Sequence, residues 1–233
     1  MNGGEARDVG VVIVAGGSST RTGGRELKQF RWVAGKPVLL HSLQTFMARP
    51  DVVGVVVVLP RSHVADPPPW IFQCDVDRLM IAPGGTTRSE SVWNGLEDLP
   101  DAADVVLVHD AARPLVDNPT IDRVVAEARA GRSAIAALPV VDTLKEVGED
   151  GRIVRTVERE RLWRAQTPQG FPRETIVTAH RRAREQKLSA TDDAALCERL
   201  DIPVVVVRGS ERALKITDDD DFARAEALFR VSE

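Results

Sequence analysis

Residues Val9–Gly17 read V-G-V-V-I-V-A-G-G, a run of β-branched side chains that passes directly into a glycine pair. A continuous apolar run of this kind is typical of a strand that is buried on both faces of a sheet. Glycines directly after such a strand allow backbone N–H groups to approach phosphate oxygens closely. The segment therefore predicts a buried strand that ends in a ligand-binding loop.

Apolar runs and helical patterns alternate along the rest of the chain, which predicts an α/β fold with a doubly wound, mostly parallel sheet. In such sheets ligands bind outside the carboxyl ends of the strands, so the loops after Ala15, Ala82 and Val108 are expected to meet at one crevice. Strands are predicted at Val9–Val14, Val52–Leu59, Arg78–Ile81, Asp104–Val108, Ala134–Val140 and Pro203–Val207. Helices are predicted at Pro37–Ala48, Arg88–Leu96, Pro119–Ala130, Arg173–Lys187, Thr191–Leu200 and Asp219–Phe229.

Residues 142–166 depart from this pattern within what is otherwise expected to be a single domain over residues 1–233. The segment is charged and carries the turn E-D-G at Glu149–Gly151 between the short runs Thr143–Val147 and Ile153–Val157. This arrangement predicts a protruding β-hairpin arm. A hairpin of this size has too little core to be stable alone, so it is expected to pack on another surface, such as a second subunit. A long surface loop is the alternative.

The composition excludes several classes of protein. A formal net charge of −4 on 233 residues gives no overall positive field that would attract nucleic acid or an anionic membrane. Cys74 and Cys197 lack zinc-ligand spacing and are interpreted as buried thiols. The first apolar run is shorter than a signal sequence or a membrane span requires, so a cytoplasmic protein is expected.

The loop after the first strand continues as A-G-G-S-S-T-R from Ala15 to Arg21 and is followed by Lys28. It is neither a G-x-G-x-x-G motif nor a Walker P-loop, and Leu59–Arg61 offers no acid for an adenosine ribose, which argues against a nicotinamide enzyme. Backbone amides followed by two cations suit a phosphate-binding loop. A flexible turn that binds no ligand is the alternative, and the two cations favour phosphate binding.

A second glycine turn, P-G-G-T-T-R-S-E-S at 83–91, leaves a predicted strand and opens a helix. Its flat backbone and Ser91 can lie against a base or a ribose. A helix N-cap formed by one of the two threonines explains the hydroxyl groups equally well. The pair Gly84 and Gly85 favours ligand contact.

The predicted strand Asp104–Val108 ends in V-H-D-A-A-R-P at 108–114. A carboxylate at the carboxyl end of a strand, beside phosphates, is a common way to hold Mg²⁺, and an arginine can bind a phosphate with two N–H groups. Asp110 is therefore a candidate metal ligand and Arg113 a candidate phosphate ligand. An ordinary ion pair between the two side chains is the alternative.

Together these motifs resemble the 2-C-methyl-D-erythritol 4-phosphate cytidylyltransferases of the non-mevalonate isoprenoid pathway. The resemblance runs from Val11 to the end of the chain and implies a Rossmann-like α/β domain whose curved β-arm swaps across a homodimer. The segments that carry it are A-G-G-S-S-T-R with K-Q-F, G-G-T-T-R-S-E-S-V, V-H-D-A-A-R-P, D-T-L-K, T-V-E-R, L-W-R-A-Q-T-P-Q, T-D-D-A and L-K-I-T.

The same resemblance implies a role for particular residues. Arg21 and Lys28 are expected to stabilise the transition state at the α-phosphate of CTP, while Lys215 and Arg159 of the neighbouring arm position methylerythritol phosphate. Asp110 is expected near Mg²⁺. The residues expected to contact the substrates are Ala15, Gly16, Gly17, Gly84, Gly85, Ser91, Asp110, Arg113, Thr143 and Thr167.

Three other functions fit parts of the sequence. A ribitol-5-phosphate cytidylyltransferase and a nucleotidyltransferase for another nucleotide share the fold, and a non-catalytic nucleotide-binding regulator would keep the scaffold. The four cations argue against a regulator, because binding alone requires no cations around the reacting phosphorus. No Ser-His-Asp or Cys-His set suggests a protein nucleophile, so the phosphate of the substrate is expected to attack CTP. The cyclodiphosphate synthase activity that some relatives carry on a fused domain is not expected here.

Overall fold

The computed structural model of the chain describes residues 6–17, 27–188 and 190–231. The strands in these ranges are β1 (Val9–Val14), β2 (Trp32–Val33), β3 (Lys36–Pro37), β4 (Val52–Leu59), β5 (Leu79–Pro83), β6 (Val105–Asp110), β7 (Ser133–Pro139), β8 (Leu144–Val147), β9 (Ile153–Val157), β10 (Trp163–Pro172) and β11 (Val204–Arg208). The α-helices are α1 (Val38–Met47), α2 (Arg88–Glu97), α3 (Asn118–Arg129), α4 (Arg173–Gln186), α5 (Asp193–Glu198) and α6 (Asp219–Arg230).

Seven of these strands form one sheet in the order β11-β7-β10-β6-β1-β4-β5. Every neighbouring pair is parallel except those of β10, which runs antiparallel to both β6 and β7. The predicted α/β fold with a mostly parallel sheet is therefore confirmed, and its predicted strands and helices are present with ends shifted by a few residues at most.

The central strands are buried on both faces, which explains their continuous apolar sequence. Val11 and Ile13 of β1 pack in one hydrophobic cluster with residues of α1 and α3, such as Leu43 and Ile121. Val12, which points to the opposite face because side chains alternate along a strand, packs in a second cluster with residues of α2 and α4. The two helical layers thus cover the two faces of the sheet.

The register of the parallel strands aligns their carboxyl ends. Val14 of β1 lies beside Asp110 of β6 on one side and Val58 of β4 on the other. Val58 in turn lies beside Ala82 of β5. The loops that follow these strands therefore leave the sheet at one level and at one edge.

Strand β10 corrects the predicted end of the arm. The arm was expected to reach Gln166, but Trp163, Arg164 and Ala165 already pair with β7 in the main sheet. The sequence W-R-A-Q-T-P-Q-G-F-P lacks the apolar run that marks the other strands. The buried amide of Gln166 is satisfied by backbone groups, since its Nε2 donates to the Ser210 carbonyl over 2.9 Å and its Oε1 accepts from the Ser210 N–H over 3.1 Å.

The hairpin itself is present as the antiparallel pair β8 and β9, closed by a turn that contains Gly151. Three apolar side chains of the hairpin face solvent in the single chain, since Val147, Ile153 and Val154 are each more than half exposed. A lone two-stranded hairpin is marginally stable in water. The packing of this arm against a second subunit stays a prediction.

The two cysteines are free thiols with different environments. Cys197 is fully buried, as predicted, and burial together with nearby acids raises the pKa of its thiol to about 12. Cys74 is half-buried, so the prediction of a buried thiol was wrong for this residue. No helix in the described ranges has the length and apolar character needed to cross a membrane.

Gly95 provides a test of the packing of α2 on the sheet. A Cβ added there would lie 2.5 Å from Cγ1 of Val12 and 3.0 Å from Cγ2 of Val58. We expect Gly95→Ala to lower the free energy of unfolding by about 1–2 kcal/mol, because overpacking outweighs the gain in helix propensity of about 1 kcal/mol. Urea unfolding measures the change. Glu97→Ala, on the exposed part of the same helix, is the control, and a more stable Gly95→Ala protein would contradict this packing.

Candidate active site

A cavity of about 460 Å³ opens at the carboxyl edge of β1, β5 and β6. The three loops that were expected to converge do so here, since each contributes to the wall. Two lysines reach the cavity from further segments: Lys28 from the turn at residues 28–30, and Lys215 from the segment before α6. The lining residues are Val14, Ala15, Gly16, Gly17, Lys28, Gln29, Gly85, Thr86, Thr87, Arg88, Ser91, Asp110, Ala111, Ala112 and Lys215.

The two glycine loops touch at the base of this cavity. A Cβ on Gly16 would lie 3.2 Å from the Cα of Gly84, and a Cβ on Gly84 would lie 3.1 Å from the carbonyl oxygen of Leu59. Larger residues at either position would push the loops apart. Gly84 therefore supports the cavity from behind and is absent from its described lining.

Gln29 fixes the first loop. Its buried side-chain amide donates to the carbonyl oxygen of Ala15 over 2.6 Å and to that of Gly17 over 3.4 Å. The neighbouring Lys28 lines the cavity. The sequence contains this glutamine in the K-Q-F segment, but its type alone gave no reason to assign it a site role.

The second glycine loop both caps α2 and forms part of the cavity wall. Thr87 Oγ1 accepts from the Glu90 N–H over 3.1 Å and caps α2, which is the alternative considered for this turn. Ser91 Oγ accepts from the Gly85 N–H over 3.0 Å and donates to the Thr87 carbonyl over 2.9 Å. The hydroxyl groups therefore hold the shape of the loop, while Gly85 and Ser91 still face the cavity.

Asp110 lies at the centre of the charged groups. Its Oδ2 is 2.7 Å from Nζ of Lys215, and its Oδ1 is 3.5 Å from Nε of Arg88. Burial opposes ionisation of this carboxyl, but the charges of Arg88 and Lys215 outweigh it and hold its pKa well below the usual range. Asp110 is therefore a carboxylate at neutral pH.

Lys215 is fixed by the backbone around it. The N–H of the next residue, Ile216, donates to the Ala112 carbonyl over 2.8 Å. Ile216 is fully buried in a third hydrophobic cluster with Phe222 of α6. These contacts place the lysine over the loop that follows β6.

Arg113 is held by backbone carbonyl groups of two separate segments. It is buried, and its guanidinium donates to the Ala213 carbonyl over 2.7 Å and to the Ala165 carbonyl over 3.3 Å. It is absent from the described cavity lining, and its two contacts tie β10 to the segment that carries Lys215. Its contact with a phosphate stays a prediction. The spacing of Asp110 and Arg113 could not reveal these backbone contacts.

Thr167 contacts groups at the end of β6. Its Oγ1 accepts from the Asp110 N–H over 3.1 Å and lies 3.0 Å from Nδ1 of His109. Burial lowers the pKa of His109 to about 4, so this histidine is neutral at physiological pH. The pair holds the end of β6 in place, and neither side chain lines the cavity.

Two predicted residues, Thr143 and Arg159, stand apart from the cavity of this protomer. Thr143 and Arg159 are exposed, Thr143 just before β8 and Arg159 between β9 and β10, where its guanidinium donates to the carbonyl of Val141. Arg21 lies outside the described residues. Contacts of Thr143, Arg159 and Arg21 with a ligand remain predictions.

The residues fit a divalent cation that brings most of its own ligands. Asp110 is ionised and faces the cavity, whereas no group of three or more His, Cys, Asp or Glu side chains in the described part of the chain is placed to hold a metal ion. Mg²⁺ commonly binds one or two carboxylates and completes its shell with phosphate oxygens and water. Asp110 can supply one such ligand.

Arg88 is the main site residue that sequence reasoning missed. It is the first residue of α2, and its Nη1 is 2.7 Å from Oδ2 of the buried Asp193. The only available signal was its place in the G-G-T-T-R segment, followed far along the chain by T-D-D-A. Long-range ion pairs of this kind leave no local pattern.

The fold and the cavity define an α/β protein with a candidate ligand site at the carboxyl ends of its parallel strands. The chain belongs to the family "IspD: 2-C-methyl-D-erythritol 4-phosphate cytidylyltransferase", which matches residues 9–231. A relative of that name from Pelotomaculum thermopropionicum is 42% identical over 231 residues, covering 97% of this chain and 95% of the relative. One from Salinibacter ruber is 44% identical over 220 residues, covering 94% and 92%.

Solved structures agree with this assignment. The crystal structure of 2-C-methyl-D-erythritol 4-phosphate cytidylyltransferase from Thermus thermophilus superposes with a TM-score of 0.79 at 37% identity, covering 94% of this chain and 98% of that one. The similarity therefore extends over nearly the full length of both chains.

Arg113→Lys tests the position of this arginine. We expect the free energy of unfolding without ligand to fall by about 1–3 kcal/mol, because a lysine cannot satisfy both buried carbonyl groups. Urea unfolding measures the change, with Arg181→Lys on the exposed surface of α4 as the control. Unchanged stability combined with weaker CTP binding would show instead that the guanidinium contacts a phosphate.

Proposed function

We propose that this chain transfers CMP from CTP to 2-C-methyl-D-erythritol 4-phosphate and releases pyrophosphate, giving 4-diphosphocytidyl-2-C-methyl-D-erythritol. The observation that carries the proposal is the carboxylate of Asp110 between Lys215 and Arg88, in a cavity walled by two glycine loops. Relatives that bear the name of this enzyme match the chain over nearly its full length.

The chemistry requires no protein nucleophile. A phosphate oxygen of methylerythritol phosphate attacks the α-phosphorus of CTP, the bond to the bridging oxygen of the β-phosphate breaks, and its electron pair leaves with pyrophosphate. The protein must align two polyanions and neutralise their repulsion. Lys28 and Lys215 face the cavity for this purpose, and Arg21 is proposed to join them.

Mg²⁺ is part of this proposal. When bound, it would neutralise charge on the phosphate oxygens of CTP and stabilise the charge that develops during transfer. Asp110 would hold it, and Lys215, which pairs with Asp110 in the protein without ligand, would be available to a phosphate group of a substrate.

The arm is proposed to complete the site of a second subunit. Val141 and the valine and isoleucine side chains of the hairpin are exposed in the single chain, and burying them would favour association. Arg159 follows β9 at the base of this arm, where it donates to the carbonyl of Val141. It would bring a further cation to the phosphate of methylerythritol phosphate in the partner's site. Activity at each site is therefore expected to require a homodimer.

A cytoplasmic location is also proposed. Both cysteines are free, which suits a reducing compartment.

Pyrophosphate release over a grid of nucleotides and polyol phosphates tests the reaction. We expect CTP with methylerythritol phosphate and Mg²⁺ to give the fastest turnover, because the chain belongs to this family over residues 9–231. Arg21→Ala and Lys28→Ala are the inactive controls. Faster turnover with ribitol 5-phosphate would replace the assignment with the related cytidylyltransferase, and no turnover with any pair would favour a nucleotide-binding regulator.

A mixed dimer tests the arm. Lys28 lines the cavity of its own protomer, whereas Arg159 is proposed to act in the partner's site. Lys28→Ala and Arg159→Ala homodimers should each be nearly inactive. In the heterodimer one site gathers both lesions and the other is intact, so random exchange of equal amounts leaves about a quarter of all sites active.

The control for this experiment mixes Lys28→Ala with Lys215→Ala. Both residues line the cavity of one protomer, so every site keeps one lesion and no activity should return. Co-expression with two different tags confirms that heterodimers form. Equal recovery in both mixtures, or none in either, would contradict the exchange of arms.

A further inference from the structure

A line of buried and half-buried charges runs from the cavity into the protein behind it. Arg88 lies between two carboxylates, with Nε 3.5 Å from Oδ1 of Asp110 and Nη1 2.7 Å from Oδ2 of Asp193. Oδ1 of Asp193 lies 2.9 Å from Nε2 of His180. Asp110 and Arg88 line the cavity, whereas Asp193 and His180 are only 1% exposed and are absent from its described lining.

Asp193 is held rigidly. It is the first residue of α5, and its backbone N–H donates to Oε1 of Gln169 over 3.0 Å. Gln169 lies on β10, where it pairs with Val108 of β6 just before Asp110. Both oxygens of the Asp193 carboxylate and its backbone N–H are therefore committed to partners on three different elements.

A buried carboxylate is costly unless its charge is used by a partner. Helix α5 does not need this charge for its start, because Asp192 already caps it by accepting from the Ala195 N–H over 2.8 Å. Its charge is paired instead with Arg88, whose Nη1 it holds at 2.7 Å on the side away from Asp110. Arg88 bridges two fixed carboxylates and so presents a fixed cation beside the reacting groups.

We propose that Asp193 is a positioning residue for nucleotidyl transfer, acting through Arg88 on Asp110, with His180 orienting the Asp193 carboxylate. This inference rests on the proposed function, since it assigns a role in the same reaction. Residues that orient the groups contacting a substrate or metal typically contribute about ten- to a hundredfold to activity.

A double-mutant cycle on CTP-dependent pyrophosphate release tests this role. Asp193→Asn keeps the shape of the side chain and removes its charge, and we expect kcat/KM to fall about ten- to a hundredfold, mainly through kcat. Arg88→Gln should lose at least as much. The double variant should be no slower than Arg88→Gln alone, because Asp193 has no effect once Arg88 is gone.

Two further variants separate positioning from folding. Glu198→Gln removes an exposed carboxylate from the other end of the same short helix and leaves the contacts of Asp193 intact, so it should change kcat/KM little. Arg88→Lys keeps the positive charge but cannot bridge both carboxylates, so it should lose nearly as much activity as Arg88→Gln. This variant alters only a half-buried residue, and it decides the question even if Asp193→Asn does not fold.

The outcomes are distinct. Multiplicative losses in the double variant, full activity of Asp193→Asn, or full activity of Arg88→Lys would each overturn the proposal. A wild-type protein without activity on CTP and methylerythritol phosphate would instead overturn the proposed function, so the wild type is assayed beside every variant.

Discussion

The parallel register at the centre of the sheet is the constraint on which the site depends. Val14 lies level with Asp110 and with Val58, so the glycine loop after β1 and the carboxylate at the end of β6 emerge side by side. A shift of one residue in either pairing would turn Asp110 to the opposite face of the sheet. The two hydrophobic layers enforce this register, because each strand buries alternate side chains in different clusters.

The charges around Asp110 are nearly balanced. Asp110 and Asp193 are balanced by Arg88 and Lys215, so this part of the site is close to neutral before a substrate binds. A nucleoside triphosphate and a sugar phosphate would add a large negative charge to it. Additional cations are then needed, which gives a physical reason for Lys28, for Mg²⁺ and for an arginine carried on the arm of a second subunit.

Much of the fold could be predicted from the sequence because strands buried on both faces keep continuous apolar runs. The meeting of three loops followed from the parallel sheet alone. Strand β10 was not predicted as a strand because its buried positions carry glutamines, threonine and proline, whose polar groups find partners only in the folded chain. The motif at 108–114 identified Asp110 and the family resemblance identified Lys215, but neither gave information on the contacts of Arg113 or on the pairing of Arg88 with Asp193.

A crystal structure of the protein with CTP and Mn²⁺ in place of Mg²⁺ would test the central claim most directly, because the anomalous signal locates the metal ion. We predict that the cytosine lies between the loops at 15–17 and 85–91, with the α-phosphate beside Lys28. The metal peak should lie within coordination distance, about 2.2 Å, of an Asp110 oxygen, with Lys215 turned towards a phosphate. A nucleotide bound outside this cavity, or a metal ion remote from an Asp110 still paired with Lys215, would contradict the account.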